Sequence, residues 1–147
     1  MKSEIIKKNI VALNWFIDHK GYIMQLPKPV NTSEGEIRIH SQAKGIYKPK
    51  WSDFALSIKI VIGSPYSDDL KESENDKWIL NYNEEENPQH KGRNEDLWTN
   101  ESLIKNMEQG LPVGILYQTN EKPALYKIFG LGKVTEYKNG KFKIESL

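Results

Sequence analysis

Three histidines, His19, His40 and His90, are the first residues to test for chemistry. None sits in an HExxH, HxH or comparable ligand spacing, so each reads as a surface or loop residue. Gly130-Leu131-Gly132 falls inside a strand pattern with no helix after it, so it gives no dinucleotide signal. No GxSxG and no GxxxxGK occurs. The acidic run Asp68, Asp69, Glu72, Glu74, Asp76 lacks the central Gly and terminal Glu of a calcium loop. A nuclease site built from Asp68, Asp69, Asp76 and Lys77 would lie in a loop, where a site of that kind lacks rigid support. The expectation is therefore no catalytic residue, no metal and no cofactor.

Aromatic and basic residues form a second constellation. Tyr47, Trp51, Tyr66, Trp78, Tyr82 and Trp98 fall at strand ends or in flanking loops. Arg38, His40, Lys44, Lys48 and Lys50 accompany one stretch, and His90, Lys91 and Arg93 another. Aromatic rings stack on bases while neighbouring cations hold phosphates. For any single ring, completing the core is the plainer role. Only the combination points to nucleic acid.

The bulk numbers limit these readings. A chain of 147 residues suits one domain with a sizeable core. Hydrophobic residues make up 37% and charged residues 28%, which describes a small domain with a highly charged surface. The net charge of +1 excludes a global electrostatic field, so contact with a polyanion must come from a local patch. Cysteine is absent, which suits a reducing cytoplasm and rules out disulfides. No apolar run is long enough for a transmembrane helix, and the N-terminus lacks a signal-peptide pattern, so no membrane partner is expected.

The elements that must position these residues follow from periodicity. Residues 2–19 predict an amphipathic helix with Ile6, Ile10, Leu13 and Ile17 on its core face, stopped by Lys20-Gly21. Residues 22–35 read as loop. Ile37 and Ile39 alternate as in a short strand, and residues 45–49 read as a turn. Residues 54–62 predict a strand with Leu56, Ile58 and Ile60 on one side and Ser57 and Lys59 on the other. Residues 67–77 read as an exposed acidic loop, 78–82 as a strand and 83–96 as a long loop. Residues 100–109 predict a helix capped by Thr99 or Asn100, with Leu103, Ile104 and Met107 inward and Gly110 as its stop. Strands follow at 112–117 and 126–137, the second bent at Gly130 and Gly132. Asn139-Gly140 is a hairpin turn leading into 141–145. The fold class is α+β: a mostly antiparallel curved sheet or small barrel with helices packed outside.

The order of segments resembles a known family. Gly45-Ile46-Tyr47-Lys48-Pro49 is followed by Ala55-Leu56-Ser57-Ile58 and Pro65-Tyr66-Ser67-Asp68. An aromatic strand ending at Tyr82 comes next, then Asn94 ahead of the second helix. Residues 111–116 and 126–134 complete the pattern, which runs from about Ile37 to Ile144. It resembles the N-terminal recognition domain of bacterial HNH restriction endonucleases, which is similar to SRA and broader PUA-like domains. The resemblance implies one PUA-like domain over 1–147, with an N-terminal helix at 1–20 and a curved barrel at 36–147. It also implies a DNA-binding module of a modification-dependent restriction system that reads a flipped, modified base in duplex DNA, most simply a modified cytosine, in an aromatic-walled hollow. Tyr66, Trp78 and Tyr82 would stack on the base, Asp68 would accept from its exocyclic amine, and Asn94 would supply a donor and an acceptor. Lys48, Lys50, Lys91 and Arg93 would hold phosphates. The family continues into an HNH nuclease domain, whereas this chain stops at Leu147. The nuclease is therefore expected in cis or in trans. A PUA-like RNA-binding module, a protein-interaction domain and a small carboxylate enzyme are the alternatives.

Overall fold

The computed structural model describes residues 2–33, 35–63 and 68–147, with backbone alone for 2–6. The main sheet has eight strands: β1 (Ile23–Met24), β4 (Ile46–Tyr47), β5 (Ser57–Ile60), β6 (Asp69–Glu72), β7 (Trp78–Asn83), β8 (Val113–Glu121), β9 (Ala124–Lys138) and β10 (Lys141–Ser146). Its order is β4-β5-β8-β9-β10-β7-β6, with β1 added along β9. A small separate ladder pairs β2 (Val30–Thr32) with β3 (Gly35–Ile37). Two helices complete the fold, α1 (Lys2–Asp18) and α2 (Trp98–Gln109).

This is the expected α+β class, but the sheet is open and mixed where a mostly antiparallel curved sheet or small barrel was expected. Strands β4 and β6 end the hydrogen-bonded order without pairing to each other. Strand β8 runs parallel to β5, Ser57 opposite Gly114 and Ile60 opposite Tyr117. The cause is connectivity: β8 is entered from α2, a crossover that allows a parallel return, whereas a tight turn would force an antiparallel one.

The two helices cover opposite faces. Leu103 of α2 is fully buried with Ile58, Ile115, Phe142 and Ile144. Ala12 and Phe16 of α1 are buried with Leu56, Leu116 and Ile128. Neighbouring residues Ile115 and Leu116 thus point into different cores, as the two-residue period of a strand requires. Coverage on both sides explains why all four residues of β5 are buried, Ser57 and Lys59 included, against the expected alternation. Ser57 Oγ donates to the Ile39 carbonyl, and Lys59 Nζ donates to the carbonyls of Ser41 and Gln42.

Helix α1 corrects the predicted packing face. Ile10 and Ile17 are half exposed, while Ala12 and Phe16 are fully buried and Leu13 packs beside them. The 4-3-4 apolar spacing was real, but a bulky ring one residue away took the core position. Gly114 on β8 admits it, because a Cβ there would overlap the Phe16 ring.

Several local signals hold. Gly110 ends α2 in the left-handed region at φ 69°. Asn139 and Gly140 both have positive φ, 52° and 73°, as a two-residue hairpin turn demands. The β8–β9 register shifts between Ile115 and Leu116, opposite Gly130 and Ile128, which makes the predicted bend a bulge. Residues 23–24, 30–32 and 69–72 form short strands where loop was expected, and Ile46–Tyr47 pairs with β5 inside the predicted turn. Two- and four-residue strands are too short to carry a periodic signal.

Candidate functional site

A cleft of about 510 Å³ opens between segment 42–45, the end of β5 with residues 61–63, Asp68, and the end of β7. Its lining is polar and carries both signs of charge: Lys44, Lys59, Asp68, Glu85 and Glu86, with the Tyr82 ring. Several elements must meet here, and glycine makes it possible. Gly45 passes so close to β7 that a Cβ would overlap the Tyr82 hydroxyl.

Glu85 organises the inner wall. Its Oε2 accepts from the backbone amides of Gly45 and Ile46, each at 3.0 Å, and from the Tyr82 hydroxyl at 3.2 Å. Its backbone is held in turn by Asn100 of α2. Asn100 Nδ2 donates to the Glu85 carbonyl and Oδ1 accepts from the Glu85 amide, both at 2.8 Å. Asn100 is fully buried, so it is a rigid bracket between helix and loop rather than the helix cap expected of it. The cap position is Leu97, which offers no side-chain bond. Glu85 Oε1 is buried and accepts no hydrogen bond among the described residues. A buried carboxylate oxygen without a donor is costly.

Asp68 supplies the second carboxylate. Its Oδ1 accepts from the Asn83 amide at 2.9 Å and from Asn83 Nδ2 at 3.2 Å. Burial raises its pKa above the usual carboxylate value, the Glu85 charge adds to the rise, and the Asn83 bonds oppose it. Lys59 closes the other side, with burial lowering its pKa. Its ammonium is spent on the carbonyls of Ser41 and Gln42, so it tethers the 41–45 segment. The arrangement is an acceptor-rich pocket suited to a planar group with N–H donors along its edge. Among the described residues no three His, Asp or Glu side chains converge as a metal site would require.

The predicted site residues are divided by the fold. Tyr82 and Asp68 both line the cleft. Tyr66 lies outside the described residues. Trp78 does not line the cleft: it is buried in the core with its Nε1 donating to the Phe129 carbonyl at 3.2 Å. Tyr82 is the cleft's one aromatic among the described residues and is itself buried in the same core, 5% exposed, where several open ring walls were expected. Asn94 sits in a 3₁₀ turn (Asn94–Asp96), its side chain donating to Glu84 at 3.1 Å and its carbonyl held by Asn100. It is not among the residues that line the cleft. Lys48 and Lys50 line a different groove, with Arg38, Lys44, Trp51 and Trp98. Lys91 is exposed, and Arg93 is engaged by Glu95 at 2.8 Å and Asp96 at 3.3 Å.

His40 is a further correction, since it is buried rather than superficial. Its Nε2 lies 3.0 Å from the Pro27 carbonyl, and burial lowers its pKa. Glu85, Gly45 and Lys59 carry the cleft without having been singled out by sequence. Glu85 was one acid in the run Glu84-Glu85-Glu86, and only a partner 40 residues away in sequence sets it apart.

The fold and site together define an α+β domain with a polar, acceptor-lined cleft beside an open mixed sheet. No family model and no curated protein matches the chain. Among solved structures, the fold is similar to that of the modification-dependent restriction endonuclease TagI, at a TM-score of 0.50 and 21% identity. The match covers 87% of this chain and 52% of that one, so the chain spans about half the length of its structural neighbour. Likeness at that identity is likeness of fold.

Proposed function

We propose that this chain is a DNA-binding recognition domain that holds one extruded, modified base in the cleft and serves as the specificity part of a restriction system. The observation that carries the reading is a hollow of about 510 Å³ lined by the two acidic residues Asp68 and Glu85 together with Tyr82. That volume falls in the range of small-molecule sites. A base inside a duplex cannot reach such a pocket, so it must leave the stack at a cost of a few kcal/mol. Donors on the base edge meeting two carboxylates offset that cost. The exocyclic amine of a cytosine is a group of this kind, and the open side of the cleft leaves room for a substituent on the ring.

The fold likeness to a protein titled a modification-dependent restriction endonuclease supports the same reading. No bond-breaking step is assigned to this chain, and cleavage would belong to a nuclease domain in cis or in trans.

The test is a fluorescence-anisotropy titration of labelled duplexes carrying 5-methylcytosine, 5-hydroxymethylcytosine, glucosylated cytosine or no mark. The expected result is tighter binding to at least one marked duplex, weakening steeply with salt. Asp68→Asn and Glu85→Gln should remove that preference. Equal, weak binding to every duplex by the wild-type protein would refute the reading.

A further inference from the structure

A second hollow, of about 650 Å³, lies on the other side of the 41–45 segment. Arg38, Lys44, Lys48 and Lys50 line it together with the rings of Trp51 and Trp98. Among the described residues Glu36 is the one carboxylate on its lining. Four cations against one acid is a strong local excess in a chain whose net charge is +1. Among the described residues none of these four cations makes a salt bridge. Lys48 donates one hydrogen bond, to the Pro49 carbonyl, and keeps two further N–H groups. Unpaired cations collected on one surface are the footprint of a polyanion site.

The rings select among polyanions. Trp98 opens α2 and is 48% exposed, with the Lys44 ammonium 5.3 Å from its ring centroid. Trp51 has the Lys8 ammonium 5.4 Å from its own. An exposed indole among cations offers a stacking face beside phosphate partners, which is how proteins hold unpaired nucleotides. An acidic peptide would use the cations and leave the indole idle. Ala43 and Lys44 line both hollows, so the segment that walls the cleft also walls the groove. A strand whose base enters the cleft can run directly over this wall.

We infer that the groove binds the nucleic-acid strand next to the nucleotide held in the cleft. The strand's phosphates lie on Arg38, Lys48 and Lys50, and one flanking base stacks on Trp98. Lys44, on the shared wall, meets the phosphate between the two nucleotides. This rests on the base-reading assignment of the cleft and adds the path of the strand.

The experiment uses the full chain and two labelled probes, a single strand and a duplex, each with and without a central 5-hydroxymethylcytosine. Arg38→Gln, Lys48→Gln and Lys50→Gln are combined in one variant. It should weaken binding to marked and plain probes alike and flatten the slope of log K against log salt by about two to three, one per lost phosphate contact. Trp98→Ala should lower affinity for the single strand by about 5- to 150-fold, and Trp98→Phe should keep most of it. Circular dichroism and urea midpoints verify that each variant is folded. Wild-type affinity and slope in the triple variant, while Asp68→Asn loses its preference for the mark, would overturn the strand path and leave the cleft reading standing. Absence of binding by the wild-type protein to every probe would overturn both. Displacement of the single strand by a polyglutamate peptide as effectively as by an unlabelled strand of equal charge would mean an acidic protein partner, and would also overturn the proposal.

Discussion

Replacing Glu85 separates the two tasks that its carboxylate performs. Its Oε2 holds three donors, the amides of Gly45 and Ile46 and the hydroxyl of Tyr82, while Oε1 faces no donor among the described residues. Glu85→Ala strands the two amides at the start of β4. A buried donor left without a partner costs about 1–3 kcal/mol, and hydrogen bonds to a charged acceptor contribute about 1.5–3 kcal/mol each. The cleft is open, so water recovers part of the loss, and the expected net cost is about 2–4 kcal/mol. Glu85→Gln keeps an oxygen for all three donors and gives up only the charge, so the expected cost is about 1 kcal/mol. Either substitution also removes one of the negative charges that line the cleft. Urea unfolding followed by tryptophan fluorescence reads the stability order, and anisotropy on a marked duplex reads binding. Wild type should exceed Gln, and Gln should exceed Ala, in stability, while both variants lose selective binding. Equal stability of the Gln and Ala variants, or an Ala variant within about 0.5 kcal/mol of wild type, would refute the role given to Oε2.

Three other outcomes follow from the same structure. Asp68 holds its proton more tightly when folded, because burial raises its pKa. Its contribution to stability is therefore present in acid and lost as pH rises from the ordinary carboxylate value through the folded one. Asp68→Asn, which keeps an oxygen for the Asn83 donors, should be more stable than wild type at neutral pH, and the gap should vanish toward acid; a gap constant across a pH series of urea midpoints would refute this. Phe16→Ala should cost about 3–5 kcal/mol, because the ring is fully buried against β8, whereas Ile17→Ser should stay within about 0.5 kcal/mol; thermal unfolding checks both, and the opposite order would restore the isoleucine face as the packing face. Lys59→Met should cost about 1–3 kcal/mol by freeing the carbonyls of Ser41 and Gln42, and should raise amide hydrogen exchange in residues 42–46; unchanged exchange there would mean that the tether does not hold the cleft wall.

The cationic groove also reconciles a nearly neutral chain with the polyanionic partner proposed for it. The acids that balance its charge lie elsewhere, as in the Glu95 and Asp96 that engage Arg93 and the Glu72 paired with Lys127. The cations of segment 38–50 are left unpaired on one groove. Net charge measures the sum, whereas attraction to a phosphate within a Debye length depends on the local arrangement.

Local signals in the chain were enough for whatever depends on local backbone chemistry. The two helices, the Asn139-Gly140 turn, the Gly110 stop and the bend at Gly130 could all be read from residue type and period. These features depend on φ preferences and side-chain spacing within a few residues, which the chain displays directly. The grouping of Arg38, Lys44, Lys48 and Lys50 was also visible, because it comes from one short stretch, whereas only the tertiary structure brought Trp98 to it. Only tertiary structure chose which face of α1 packs, since Phe16 and the isoleucines compete and Gly114 admits the ring. Tertiary structure also removed Trp78 from the site and raised Glu85 from one acid among three to the anchor of the cleft. Those outcomes depend on what lies across the sheet or at the end of a helix 15 to 98 residues away in sequence, and no residue carries a mark of its distant neighbours.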